Sequence, residues 1–169
     1  MGIPLVTTVD SLSVSVANIN ELDRIVEMWW TLLEDQQNLD WRGEMDVLTR
    51  QFNTERVARF LENRLKLGRL MTASLDGDLV GICSISPDGF LIDGSHIVWV
   101  IADVFIEEHA RRRGVATALI KAAERECMNG GADEVRLTVY VMNDAARELY
   151  RSLGYELVSQ EYGRLMTTD

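Results

Sequence analysis

The stretch IADVFIEEHARRRGVATAL, residues 101 to 119, joins an apolar, strand-like run to three consecutive arginines and then to a segment with helical spacing. A strand, a tight turn and a helix that starts at a small residue make a phosphate-binding device. The first backbone N–H groups of a helix have no partner inside it and point at a ligand. Gly114 and Ala116 let the backbone approach a phosphate closely, while the arginines supply charged, bidentate donors. Neither Gly-x-x-x-x-Gly-Lys-Ser/Thr nor Gly-x-Gly-x-x-Gly occurs, so this is not a P-loop or a dinucleotide fingerprint. The competing reading is a solvated basic face at a helix start, paired with Glu107 and Glu108.

The surrounding chain is acidic. Its 169 residues are 47% hydrophobic and carry a formal net charge of -10, with a pI near 4.7. That length and composition suit one compact domain, residues 1–169 with a core at about 11–168, and no linker, repeat or low-complexity tract divides it. No run has the ~18 to 20 apolar residues of a membrane span, and MGIPLVTTVD lacks the basic start of a signal peptide. A soluble, cytoplasmic protein is expected. The negative field disfavours nucleic acid and anionic membrane as partners. Cys83 and Cys127 stand alone in apolar company, and His96 and His109 fit neither a metal site nor a triad, so no metal is expected.

Periodicity orders the elements. SLSVSVANI alternates as a strand, and Asn20 reads as the N-cap of a helix whose face is Leu22, Ile25, Val26, Trp29, Leu32 and Leu33. A second helix runs from Asn53 to Leu67, with Val57, Phe60, Leu61 and Leu65 inward and Gly68 as its stop. Asp76-Gly77-Asp78 joins two apolar runs as a hairpin. The strand HIVWVIADVFI precedes the arginines, and the next helix buries Val115, Ala118, Leu119, Ala122, Ala123 and Cys127 before Gly130-Gly131. EVRLTVYV is a strand, NDAARELYRSLG a short helix capped by Asn143 and stopped by Gly154, and YELVSQEYGRLM gives one or two closing strands. The order β-α-α-β-β-β-α-β-α-β describes an α/β (α+β) domain with a mixed sheet and helices on its faces.

A second constellation lies in that short helix. Ala146, Leu149, Tyr150 and Leu153 share one face, which turns Tyr150 toward the sheet. A buried tyrosine hydroxyl requires a partner, and a core carbonyl is the plain alternative to a chemical role.

Arg111-Arg112-Arg113-Gly114-Val115-Ala116 resembles the Arg/Gln-x-x-Gly-x-Gly/Ala signature of the GCN5-related N-acetyltransferase (GNAT) superfamily, and NDAARELYRSLGY resembles its downstream Asn-x-x-Ala-x-x-x-Tyr-x-x-x-Gly-Phe/Tyr motif. The resemblance runs from about Ser11 to the C-terminus and is strongest from Ile101 to Tyr155. It implies a mostly antiparallel sheet of six to seven strands, about four flanking helices, and a splay between ADVFI and VRLTVYV where acetyl-CoA enters. Backbone groups of Val104, Phe105 and Ile106 would then pair with the pantetheine arm. The amides of Arg112 to Ala116, with Thr117 beside them and the Arg111 and Arg113 side chains, would cradle the pyrophosphate. Asn143 and Ala146 would face the cofactor arm, and Tyr150 would stand near the sulfur as general acid. A phenol and a thiol have comparable acidity, roughly pKa 10 and 8.5, so proton transfer between them is not prohibitive.

The implied reaction transfers an acetyl group to a primary amine in a ternary complex. Relatives such as polyamine acetyltransferases carry Glu-Asp where this chain has Ala102-Asp103. The base then falls to Asp103 through water, to Glu107 or Glu108, or to a water wire, and Asp103 as the organiser of a bulge is the alternative. Trp30 and Trp41 are candidates to line the acceptor pocket, against a core or dimer role. Asp35, Asp40, Glu44 and Asp46 favour a cationic acceptor: a polyamine, an aminoglycoside, an amino acid or a peptide amine. Monomer and homodimer both stay open. The rival function is a noncatalytic CoA-binding regulatory module, motivated by Ala102.

Overall fold

The computed structural model describes residues 11–39, 53–88 and 96–162. Asn18 opens the first helical segment: its side chain accepts the Asn20 N–H at 2.9 Å, and the Glu21 carboxylate accepts the Asn18 N–H at 2.6 Å. This reciprocal cap displaces the predicted Asn20, which lies inside the 3-10 turn Ile19–Glu21. Helix α1 (Leu22–Gln37) follows with Ile25, Val26, Met28, Trp29, Leu32 and Leu33 buried. Helix α2 (Thr54–Lys66) has Asn53 as N-cap and buries Val57 and Leu61. Phe60, expected inside, is 42% exposed. Its ring instead lies under the Arg64 guanidinium, 4.8 Å from ring centre to carbon.

Strands β1 (Leu12–Val16), β2 (Leu70–Leu75), β3 (Asp78–Pro87), β4 (Val98–Ile106) and β5 (Glu134–Leu137) form one sheet in that order. All neighbours are antiparallel except β4 and β5, which are parallel. The β2–β3 turn has φ 55° at Asp76 and 93° at Gly77. Those are the two positive values a right-twisted two-residue hairpin needs, and glycine takes the second without a Cβ penalty.

The sheet is packed on both faces. On one, Met71, Cys83, Ile85, Ile101 and Ile106 meet helix α3 (Val115–Asn129), with Leu149 and Tyr150 of helix α4 (Asp144–Ser152) and its C-cap Leu153 against them. On the other, Leu70, Ile82 and Phe105 meet α1 and α2. Fully burying each such side chain is worth about 1.5–3 kcal/mol, so the two layers of apolar contact, not any surface pair, hold the helices in place.

Two expectations change at the C-terminal end. The strand at Glu134 stops at Leu137 instead of reaching Val141, and residues 155–162 form no strand. The sheet therefore has five strands among the described residues, where six to seven were expected. An alternating segment becomes a strand only when an edge receives its backbone groups, and Leu157, Val158 and Tyr162 remain exposed. No described helix is long and apolar enough to cross a membrane.

Candidate active site

The β4–β5 ladder ends at Ile101↔Leu137. Beyond it, Ala102 to Ile106 continue β4 with β3 on one side and no strand on the other among the described residues. This is the predicted splay: an open length of strand edge whose backbone groups can pair with an extended ligand. Val104, Phe105 and Ile106 lie on it.

Within that length the strand bulges. Ser84 pairs with Ala102 and Ile82 with Phe105, so Asp103 and Val104 together oppose Cys83. Asp103 has φ 53°, a left-handed value that Asp tolerates better than most residues. Trp99 and Ile101 pack on the α3 side, as do Val104 and Ile106, so the alternation of β4 slips by one at Asp103. Its carboxylate is held on the α1 side, where the Ser84 hydroxyl donates to Oδ2 at 2.5 Å. Ser84 itself is fully buried.

Tyr150 lies on the other face of the sheet, packed against the core on the α3 side. Helix α4 is set by Asn143, whose Oδ1 accepts the Ala146 N–H at 3.1 Å. The Tyr150 ring lies edge-on to Tyr155 at 6.2 Å. Its hydroxyl makes no hydrogen bond to another described residue, unlike Tyr155, which donates to Glu124 at 2.8 Å. Burial raises the Tyr150 phenol above its ordinary value, and the neighbouring Cys83 thiol adds to the shift. Cys83 is pushed up in turn, by burial first and then by Asp103. Cys127 is pushed up to about 11, mainly by burial. Both cysteines are thus neutral thiols at neutral pH. Asp103 and Tyr150, the two predicted catalytic groups, lie on opposite sides of the sheet: Asp103 is bonded to Ser84 of β3, and Tyr150 packs against the core on the α3 side.

The arginine knot lies at the end of the open edge. After β4, the 3-10 turn Glu108–Ala110 leads to Arg112 with φ 63° and to Gly114 with φ 80°. Gly114 is the N-cap of α3 and has no side-chain capping bond. The amides of Val115, Ala116 and Thr117 are therefore first-turn donors without helical acceptors, and no atom lies within 4 Å of where a Gly114 Cβ would stand. An open, uncapped helix start fits a phosphate.

The three arginines are not equivalent. Arg111 turns inward: its Nε–H donates to the Ile106 carbonyl at 2.9 Å and its Nη2 meets Asp35 at 2.9 Å. Its side chain thus forms a strut between β4 and α1. Arg113 stands 3.9 Å from Asp76, and Glu107 pairs with Arg24 at 2.5 Å, not with the knot. Asp35, one of the acids expected to favour a cationic acceptor, pairs with Arg111. Asp40, Trp41, Glu44 and Asp46 lie outside the described residues. Trp30 is half-buried on α1, edge-on to Trp29 at 5.9 Å. Sequence reasoning missed Ser84, whose signal was a serine between the apolar Cys83 and Ile85 in a strand-like run.

The Acetyltransferase (GNAT) family model matches residues 26–155, most of the chain. The chain belongs to the GNAT acetyltransferase family. It is 30% identical over 87 residues to GCN5-related N-acetyltransferase 6, chloroplastic, of Arabidopsis thaliana, a match covering 52% of this chain and 28% of that protein. Over 99 residues it is 29% identical to the uncharacterized N-acetyltransferase YhfO of Bacillus subtilis, covering 57% of this chain and 66% of that one. The matches span about a quarter of the Arabidopsis relative and just under two thirds of the Bacillus one. The GNAT fold is also that of the aminoglycoside N-acetyltransferase AAC(6')-Iy in complex with CoA, with TM-score 0.72, 20% identity, and 97% of this chain and 100% of that one covered. An acetyltransferase from Clostridium acetobutylicum with acetyl-CoA gives TM-score 0.69 at 15% identity, covering 92% of this chain and 96% of that one.

Proposed function

We propose that the protein is an acetyl-CoA-dependent N-acetyltransferase that passes the acetyl group directly to a primary amine. The observation that supports this reading is the open edge of β4 beside Asp103, followed by an uncapped helix start, in a chain of the GNAT family. The amides of Arg112 to Thr117 and the Arg112 and Arg113 side chains hold the donor's phosphates. The edge from Val104 to Ile106 orders its extended arm, and Asn143 and Ala146 border that arm at the start of α4.

The chemistry follows from the two faces. An amine nitrogen forms a bond to the thioester carbonyl carbon and the carbon–sulfur bond breaks, so one proton must leave nitrogen and one must reach sulfur. Asp103 receives the first through water from the α1 side, and Tyr150 donates the second. A phenol raised above its ordinary value stays protonated at neutral pH, as a general acid must. Ala102 offers no carboxylate, which leaves Asp103 as the acid of this strand nearest the break. Trp30 and, outside the described residues, Trp41 border the acceptor.

The acceptor is a small cationic amine. Asp103 on the acceptor face supports this, as do the similar aminoglycoside acetyltransferase structures. The test is thiol release from acetyl-CoA across spermidine, aminoglycosides, free amino acids and short peptides, with mass spectrometry of the product. Turnover with a polyamine or aminoglycoside is expected. CoA binding without turnover on any amine would instead establish a noncatalytic module.

A further inference from the structure

We propose that Ser84 is the positioning residue for Asp103: its hydroxyl fixes the carboxylate of the bulge in the orientation from which it takes the amine proton. The proposal rests on Asp103 as proton acceptor. Ser84 and Thr72 are the polar side chains among the described buried residues, and Ser84 lies in a run whose neighbours Ile82, Cys83 and Ile85 are all core. A buried hydroxyl without a partner is destabilising, and this one is satisfied by donating to Asp103 at 2.5 Å. The bond also answers a problem that the bulge creates.

Asp103 is the inserted residue of β4, so neither face of the sheet claims its side chain by alternation. Its left-handed backbone is held by the ladder on either side, at Ser84↔Ala102 and Ile82↔Phe105. The remaining freedom is the rotation of the side chain, and one hydrogen bond from the adjacent strand removes it. Without Ser84 the carboxylate has two ways to turn: toward α1, or back toward Cys83 and the Tyr150 face. Only the first keeps base and acid on opposite sides of the reacting carbon.

The test compares Ser84→Ala, Asp103→Asn and the double variant, each with kcat, KM for acetyl-CoA and thermal unfolding, using the acceptor from the amine panel. Ser84→Ala is expected to lower kcat on the order of ten- to a hundredfold, the cost of a misplaced reacting group, with KM for acetyl-CoA unchanged. The same substitution should do nothing further in the Asp103→Asn background. An unchanged kcat in Ser84→Ala, or an equal loss in both backgrounds, would overturn the positioning role. An Asp103→Asn variant with parental kcat would overturn the assignment of Asp103 itself, a separate failure. A crystal structure of Ser84→Ala reads the same point without an acceptor: the carboxylate should leave its place on the α1 side, and a carboxylate still there would count against the proposal.

Discussion

At the residue scale the proposed chemistry rests on two side chains that the backbone places by different means. Tyr150 faces the core because α4 turns one face inward, and helical spacing makes that face readable in Ala146, Leu149, Tyr150 and Leu153. Asp103 takes its place through a one-residue slip in β4, which the strand pattern alone would not have produced. Tyr150→Phe should lower kcat by about a hundredfold while leaving KM for acetyl-CoA close to parental, because the lost group acts on the departing thiolate and not on binding. Thiol-release kinetics measure both constants. The same phenol sets an alkaline limit. Burial raises the phenol above its ordinary value, so the acid form persists through neutral pH, and a kcat–pH profile should lose turnover from this group at a more alkaline pH than an exposed phenol would give.

At the element scale the start of α4 combines two duties that one substitution separates. Asn143 caps the helix through Oδ1, and its amide nitrogen remains for a ligand. Asn143→Ala removes the cap and should cost about 1 kcal/mol of stability, read by denaturant unfolding. Asn143→Asp keeps the cap, since aspartate caps as well as asparagine. Its stability should match the parent while KM for acetyl-CoA rises, because a carboxylate replaces a donor beside the cofactor arm. A parental KM in Asn143→Asp would limit Asn143 to its structural duty. The start of α3 is organised differently, with a left-handed glycine and no side-chain cap, which leaves its first amides open. One helix start is closed by its own asparagine and the other is left for an anion.

At the scale of the whole molecule, the proposed function asks an acidic chain of net charge -10 to hold a polyanionic donor through a few backbone amides and arginines. Local geometry prevails because helix-start donors act at hydrogen-bond distance, whereas the global field is screened beyond ~8 to 10 Å in ordinary salt. CoA at a hundredfold excess over its Kd should therefore stabilise the fold by about 2.7 kcal/mol. For a chain of this size that is a rise in Tm of about 5–10 °C. Inorganic phosphate alone should give no comparable rise, since it cannot occupy the β4 edge. A thermal shift series with CoA, its dephosphorylated analogue and phosphate checks this.

What the amino-acid sequence determined by itself is what short-range chemistry encodes. The hairpin at Asp76-Gly77, the apolar faces of α1 and α3, the glycine before α3 and the motif around Tyr150 all follow from spacing and backbone preference within a few residues. The errors share one cause. Asn18 took the cap from Asn20 through a reciprocal bond with Glu21, Phe60 lay at the rim of its helix face, and the strand at Glu134 ended where β4 turned away. Each depended on a neighbour that spacing does not specify. The tertiary structure alone decided that Arg111 braces α1 through Asp35, that the slip at Asp103 turns its carboxylate toward Ser84, and that Tyr150 packs against the core cluster to which Cys83 of the same strand belongs. These pairs are 76, 19 and 67 residues apart in the chain. Only the closing of the sheet brings them within reach, since contacts at such separation depend on every element packed between them.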